Sequence, residues 1–177
     1  MQTLEEIKKL YPDIDINGDG EADTYKEGLP IIERHNVAVV LKHPNEGSYL
    51  VAKWKSTVWN GFITGGIEEG DTLEDTVRSE VREEAGYKNI SKIRPLDFTS
   101  RALFFHPVKN ENRLAHYHLV FAELEDLDKD EVSEKEKSIA DFVWVLKDEV
   151  LETLTRPSMK SLWDFYVKNT NGDRDKS

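Results

Sequence analysis

Residues 65–87 read GGIEEGDTLEDTVRSEVREEAGY. After two glycines and an acidic loop, Leu73, Val77, Val81 and Ala85 recur at helical intervals. Asp71, with Glu74 three residues on, suits an N-cap, and Gly86 stands where a glycine stops a helix. The pattern predicts a helix over 72–85. On a helix turning about 100° per residue, Glu83 lies about 300° and Glu84 about 40° from Glu80, so the three carboxylates share one side. Like charges at that spacing repel, and a hard cation such as Mg2+ or Mn2+ between them reverses the sign. A solvated acidic face is the alternative reading of the same residues.

Outward from this helix the pattern is strand-like. Val37 to Leu41 is a continuous apolar run, expected of a strand buried on both faces, with Tyr49–Trp54 returning after a turn at Pro44, Asn45 and Gly47. Trp59–Ile63 reads as a third short strand leading into Gly65. Beyond the helix, strands are expected near Ile90–Phe98, Ser100–His106, His116–Leu124 and Val143–Leu146, with a last helix over 156–168. At the N-terminus, Thr3 and Glu6 have capping-box spacing for a helix over 3–10, and Tyr11 to about Asn36 reads as a long polar loop. The division expected is residues 1–35 as helix and acidic loop, 36–169 as the main domain and 170–177 as a polar tail. Many strands around one long acidic helix suggest an α+β fold, a mixed sheet flanked by helices.

Composition narrows the function. The 177 residues carry 24 Lys+Arg and 35 Asp+Glu, a formal charge of −11, which argues against general nucleic-acid binding. An acidic protein still binds anionic nucleotides when cations stand between the two. There is no cysteine, which excludes disulfide scaffolds, zinc–thiolate sites and cysteine nucleophiles. No apolar run suits a membrane span and the first residues lack a secretion pattern, so a cytoplasmic location is expected.

The stretch from Gly65 to Tyr87 resembles the Nudix box, G-x5-E-x7-R-E-U-x-E-E-x-G-U with U apolar. Gly65, Glu80, Val81, Glu83, Glu84 and Gly86 match, and Tyr87 is a tolerable ending. Two positions depart: Asp71 replaces the first Glu, and Ser79 replaces the Arg. The preceding Trp59–Gly65 and the Val143-Trp144-Val145 run are also similar to strands of that family. The segment from Phe104 through Arg113 to His116 resembles Nudix domains fused to some leucyl-tRNA synthetases. The resemblance implies an α/β/α sandwich around a mixed sheet. It also implies hydrolysis of a pyrophosphate bond in a nucleoside diphosphate-linked or nucleoside triphosphate substrate. Glu80, Glu83 and Glu84 would hold Mg2+ or Mn2+, with a main-chain carbonyl at Gly65 or Thr64 completing the shell and one glutamate, Glu83 for preference, acting as base. A further acid outside the box is often recruited, and Glu123 and Glu125 are the candidates. An Arg at position 79 would hold the cluster by a charge-assisted bond, so Ser79 puts the rate in question. For the small-molecule nucleotide, Trp54, Trp59, Phe62, Phe104 and Phe105 are either base-stacking or core residues, and Arg101, His106, Arg113 and His116 are candidates for phosphate or base contact. The state expected is a monomer or homodimer.

A second acidic cluster lies at Asp15, Asn17, Asp19, Glu21 and Asp23, with Gly20 at the sixth loop position. The spacing resembles calcium loops of the EF-hand type, so a structural Ca2+ is expected there, a turn-rich acidic loop being the alternative. Two rival functions follow: a non-catalytic nucleotide-binding or sensor module with the same fold, and an interaction domain in which this loop is the working part.

Overall fold

The computed structural model describes residues 2–170; the expected tail falls almost wholly in 171–177, outside the described residues. The elements are α1 (Leu4–Leu10), β1 (Asp15–Ile16), β2 (Ile31–Lys42), β3 (Ser48–Trp54), β4 (Asn60–Gly61), β5 (Ile63–Gly66), α2 (Leu73–Ala85), β6 (Ile90–His106), β7 (Glu111–Leu124), α3 (Glu134–Lys137), β8 (Ala140–Leu146), α4 (Val150–Thr153) and α5 (Pro157–Thr170). Among these the strands form one mixed sheet in the order β1-β6-β7-β2-β3-β4, with β5 paired to β2 and β8 to β3. The β2–β7 and β1–β6 pairs are parallel and the others antiparallel. The α+β expectation holds, with a helix-bearing layer on each side of the sheet.

Alternation along β2 builds both layers. Val37, Val39 and Leu41 face α2, where they meet Val77, Val81, Val120, Ala122 and Leu124. Ala38 and Val40 face α5, against Met159, Leu162, Trp163 and Tyr166. That is why residues 37–41 read as one unbroken apolar run. A third cluster, Ile7 with Leu103 and Leu114, seats α1 on the sheet. No helix among the described residues is long and apolar enough to cross a membrane.

Several expectations need correction. The N-cap of α2 is Thr72, which forms a capping box with Asp75, not Asp71 with Glu74. A hydroxyl one residue closer to the first buried turn takes the cap. The expected loop 11–36 contains β1 and the start of β2; Asn112 closes it from outside by bonding the backbone of Lys26 and Leu29. The strands expected at 90–98 and 100–106 are one strand, β6, whose register against β7 shifts between Pro95 and Thr99. The irregularity absorbs Pro95 without ending the strand. The expected strand 59–63 divides into β4 and β5.

Candidate active site

Helix α2 carries the carboxylates. Its apolar stripe fixes the rotation, so Glu80 and Glu84 are half-buried and Glu83 is exposed. Gly86 ends the helix with φ 83°, and a Cβ there would collide with the Asp130 carbonyl. Gly65 of β5 is needed for a different reason: the Glu80 side chain lies where a Gly65 Cβ would stand. The box glycine is thus the seat of a box glutamate.

The carboxylates are crowded. Burial, with repulsion from Glu83 and Glu136 added, pushes Glu80 up to about 7. Glu84 is pushed up to about 8, by burial first and then by Glu80, Glu136 and Glu83. Among the described residues no salt bridge joins a cation to either: Arg78 bonds Glu74 and Arg82 bonds Asp130. Hard oxygens crowded together, two of them on carboxyls raised by burial and by neighbouring carboxylates, fit a divalent metal ion. Glu80, Glu83 and Glu84 would hold it, with the main chain at Thr64–Gly65 alongside.

The acid from outside the box that crowds the cluster is Glu136 of α3, which raises both Glu80 and Glu84 and shares a small pocket with Glu84, Ala52 and Trp54. Of the candidates Glu123 and Glu125, neither is among the charges that raise Glu80 or Glu84. Glu123 pairs with Lys42 at 3.0 Å, toward the other end of the sheet. Nothing local in KEKS marks Glu136; its loop is brought in by Asp130, whose backbone N–H donates to the Gly86 carbonyl and whose carboxylate takes Arg82.

Beside the carboxylates opens a cavity of about 560 Å³. Trp54, Trp59, Phe104, Phe105 and Tyr117 supply aromatic wall; Arg34, Arg113 and His106 supply cationic or titratable edge; Thr64, Gly65 and Gly66 join it to the box. Trp54 is a wall of both this cavity and the Glu84 pocket. Burial, with Arg113 next, lowers the His106 pKa. Of the expected substrate residues, Trp54, His106 and Arg113 come together here. Arg101 and His116 do not: on the opposite face, Arg101 stacks on Tyr11 and donates to His116 Nδ1. Phe62 is core. Arg34 and Asn36 were not singled out by sequence, because a lone polar pair in a strand carries no mark beyond alternation.

At the second acidic cluster the oxygens meet a cation from the chain itself. Arg156, buried just before α5, donates to both carboxylate oxygens of Asp15 (2.6 and 3.3 Å), to Asn17 Oδ1 (3.1 Å) and to Asp19 Oδ2 (3.3 Å). Ser158 donates twice more to Asp15. The expected Ca2+ would have to displace this guanidinium. Glu21 is exposed, and Asp23 lies against the cavity, its Oδ1 buried without a hydrogen-bond partner and its pKa raised by burial.

The NUDIX domain family profile matches residues 33–164. No curated protein matches the chain significantly. Among solved structures, the chain is similar to a Listeria monocytogenes protein assigned to the NUDIX hydrolases, at 17% identity and TM-score 0.60, covering 81% of this chain and 98% of that one. It is similar to the E. coli dihydroneopterin triphosphate pyrophosphohydrolase at 13% identity and TM-score 0.58, covering 78% and 99%. An ADP compounds hydrolase aligns at 15% identity and TM-score 0.55, covering 81% and 76%. At these identities the likeness is one of fold.

Proposed function

The chain belongs to the NUDIX domain family, and from that premise we propose a metal-dependent hydrolase that cleaves a pyrophosphate bond in a nucleoside diphosphate-linked or nucleoside triphosphate substrate. One observation carries the proposal: uncompensated carboxylates, Glu80 and Glu84 with Glu136 beside them, border an aromatic cavity edged by Arg34 and Arg113. Mg2+ or Mn2+ held by Glu80, Glu83 and Glu84 would neutralise the diphosphate and lower the pKa of a water. The rest falls to side chains. Trp54 and Trp59 present faces on which a base stacks. Arg34 and Arg113 meet charge on the phosphates or on a distal group. Exposed Glu83 and half-buried Glu136 are the acids open to accept a proton from water, the first being the sequence-based choice.

The proposed enzyme is cytoplasmic, a monomer or homodimer, and acts on small-molecule nucleotides rather than on nucleic acid, in line with its net charge of −11. Calcium at the Asp15–Asp23 loop is not part of the proposal, because Arg156 already takes its oxygens.

The test is a panel of nucleoside triphosphates, nucleotide sugars, dinucleoside polyphosphates and oxidised nucleotides with Mg2+ or Mn2+, measuring phosphate release. Turnover of a member, lost in Glu84→Gln, is the expected result; inactivity across the panel counts against it. The second reading, a nucleotide-binding module without catalysis, is favoured by Ser79, which faces a groove with Arg82, Glu83 and Glu136 where the box Arg would stand. Under that reading members of the panel bind without being cleaved.

A further inference from the structure

On the α2 side of the sheet, two strands carry an interruption that the hydrolase reading does not use. Along β7 this face reads Leu114, His116, His118, Val120, Ala122, Leu124, and along parallel β2 it reads Ile31, Glu33, His35, Val37, Val39, Leu41. Leu114 lies under α1, and Val37 and Val120 lie under α2. The residues between the two helices are Glu33, His35, His116 and His118. The register sets His35 directly opposite His116. Their rings stack at 4.7 Å and 14°, and the His118 ring stacks with His35 at 5.2 Å and 18°. One ligand atom each from Glu33, His35 and His116 lies within 4.8 Å of the other two.

We propose that Glu33, His35 and His116 form a binding site for a zinc-class transition-metal ion, separate from the box carboxylates. The donor chemistry separates the two sites. Glu80, Glu83 and Glu84 offer only hard oxygen, whereas two imidazoles and one carboxylate suit Zn2+ and its first-row neighbours. Alternation separates the site from the substrate cavity, which takes Arg34 and Asn36 from the other face of β2.

His116 is the buried member of the group. The residue is 3% exposed. Its Nε2 lies 2.6 Å from Glu33 Oε1, so two of the three donors already converge on one point. The surrounding contacts resemble an outer shell. His35 Nδ1 meets His118 Nε2 at 2.9 Å, and His118 Nδ1 meets Thr99 Oγ1 at 3.2 Å, which leaves His35 Nε2 as a ligand atom. Arg101 opposes the ion. Its Nε–H donates to His116 Nδ1 at 3.0 Å, which places the hydrogen on Nε2. Metal entry therefore requires Arg101, stacked on Tyr11, to turn away.

The experiment uses tag-free full-length protein and its Glu80→Gln/Glu84→Gln variant, each titrated with Zn2+ against a chromophoric chelator in excess Mg2+. Both are expected to bind Zn2+ stoichiometrically. His35→Ala should weaken binding about ten- to a hundred-fold or more, His43→Ala should not change it, and Arg101→Gln should tighten it. Circular dichroism checks that each variant is folded. No stoichiometric Zn2+ in the box-disabled variant, or equal affinity in folded His35→Ala, overturns the site. Because the readout is binding with the box disabled, failure here is distinct from failure to find a hydrolysed substrate.

Discussion

At the scale of single residues, the argument for chemistry rests on Glu80, Glu84 and the glycine beneath them. Glu84→Gln keeps the shape and removes a charge; activity on the preferred substrate is expected to fall by about 100-fold or more, the scale of losing an electrostatic catalytic group. Rates near wild type would remove Glu84 from the active centre. Gly65→Ala tests the seat of Glu80. The new methyl takes the space of the Glu80 side chain, so activity and Mg2+ affinity are expected to fall together while far-UV circular dichroism stays unchanged. An active Gly65→Ala enzyme would mean the carboxylate has room to spare. Ser79→Arg asks whether the departure from the box limits the rate. Its expected effect is a gain in activity or metal affinity, and identical kinetics would show that Ser79 is not the limit.

At the scale of elements, Arg156 binds the N-terminal segment to the start of α5. Its partners Asp15 and Asn17 lie 141 and 139 residues away. Arg156→Ala leaves a buried Asp15 carboxylate without its cation, a change that typically costs about 3–5 kcal/mol. Once the guanidinium is gone, the oxygens of Asp15, Asn17 and Asp19 become available. With the box disabled by Glu80→Gln/Glu84→Gln, the melting temperature is therefore expected to be indifferent to Ca2+, and to rise with it once Arg156→Ala is added. A Ca2+-dependent rise in the box-disabled protein with Arg156 intact would restore calcium to this loop. The same contact explains what the sequence conceals. Helix α2 was legible because its stripe and terminal glycine are local, and β2 because both its faces are apolar; the cap of α2 was misplaced by one residue. Asp15 with Arg156, His35 with His116, and Glu84 with Glu136 meet only through the assembled sheet, and no periodicity along the chain records that. The loop expected to hold Ca2+ gives its oxygens to Arg156 instead, and a lone Arg before a proline carries no sign of that in the sequence.

At the scale of the whole molecule, stability and function pull against each other through pH. The folded protein holds Glu80 up to about 7 and Glu84 up to about 8, against ordinary values of 4.5. A carboxyl raised on folding contributes stability that is fully present below the unfolded pKa and is lost as pH rises through the folded one. In metal-free protein the window runs from about pH 4.5 to 8. His106, His116 and His118 act with the opposite sign, since burial lowers them and their contribution fades as pH falls. A melting profile of the wild type alone mixes the two, so the comparison must be with Glu80→Gln/Glu84→Gln, which retains the histidines. That variant is expected to melt above the metal-free wild type at pH 8.5, with the gap closing as pH falls toward 4.5. Mg2+ binds the ionised carboxylates of the folded state, so at pH 8.5 it is expected to raise the wild-type melting temperature and narrow the gap, leaving the variant nearly unmoved. Calorimetric titration with Mg2+ near pH 7, repeated in buffers of different ionisation heat, should reveal protons released from Glu80 and Glu84 as the ion enters. If the wild type and the double variant keep the same separation from pH 4.5 to 8.5, or if Mg2+ moves both alike, the box carboxylates are neither strained by burial nor the seat of the metal.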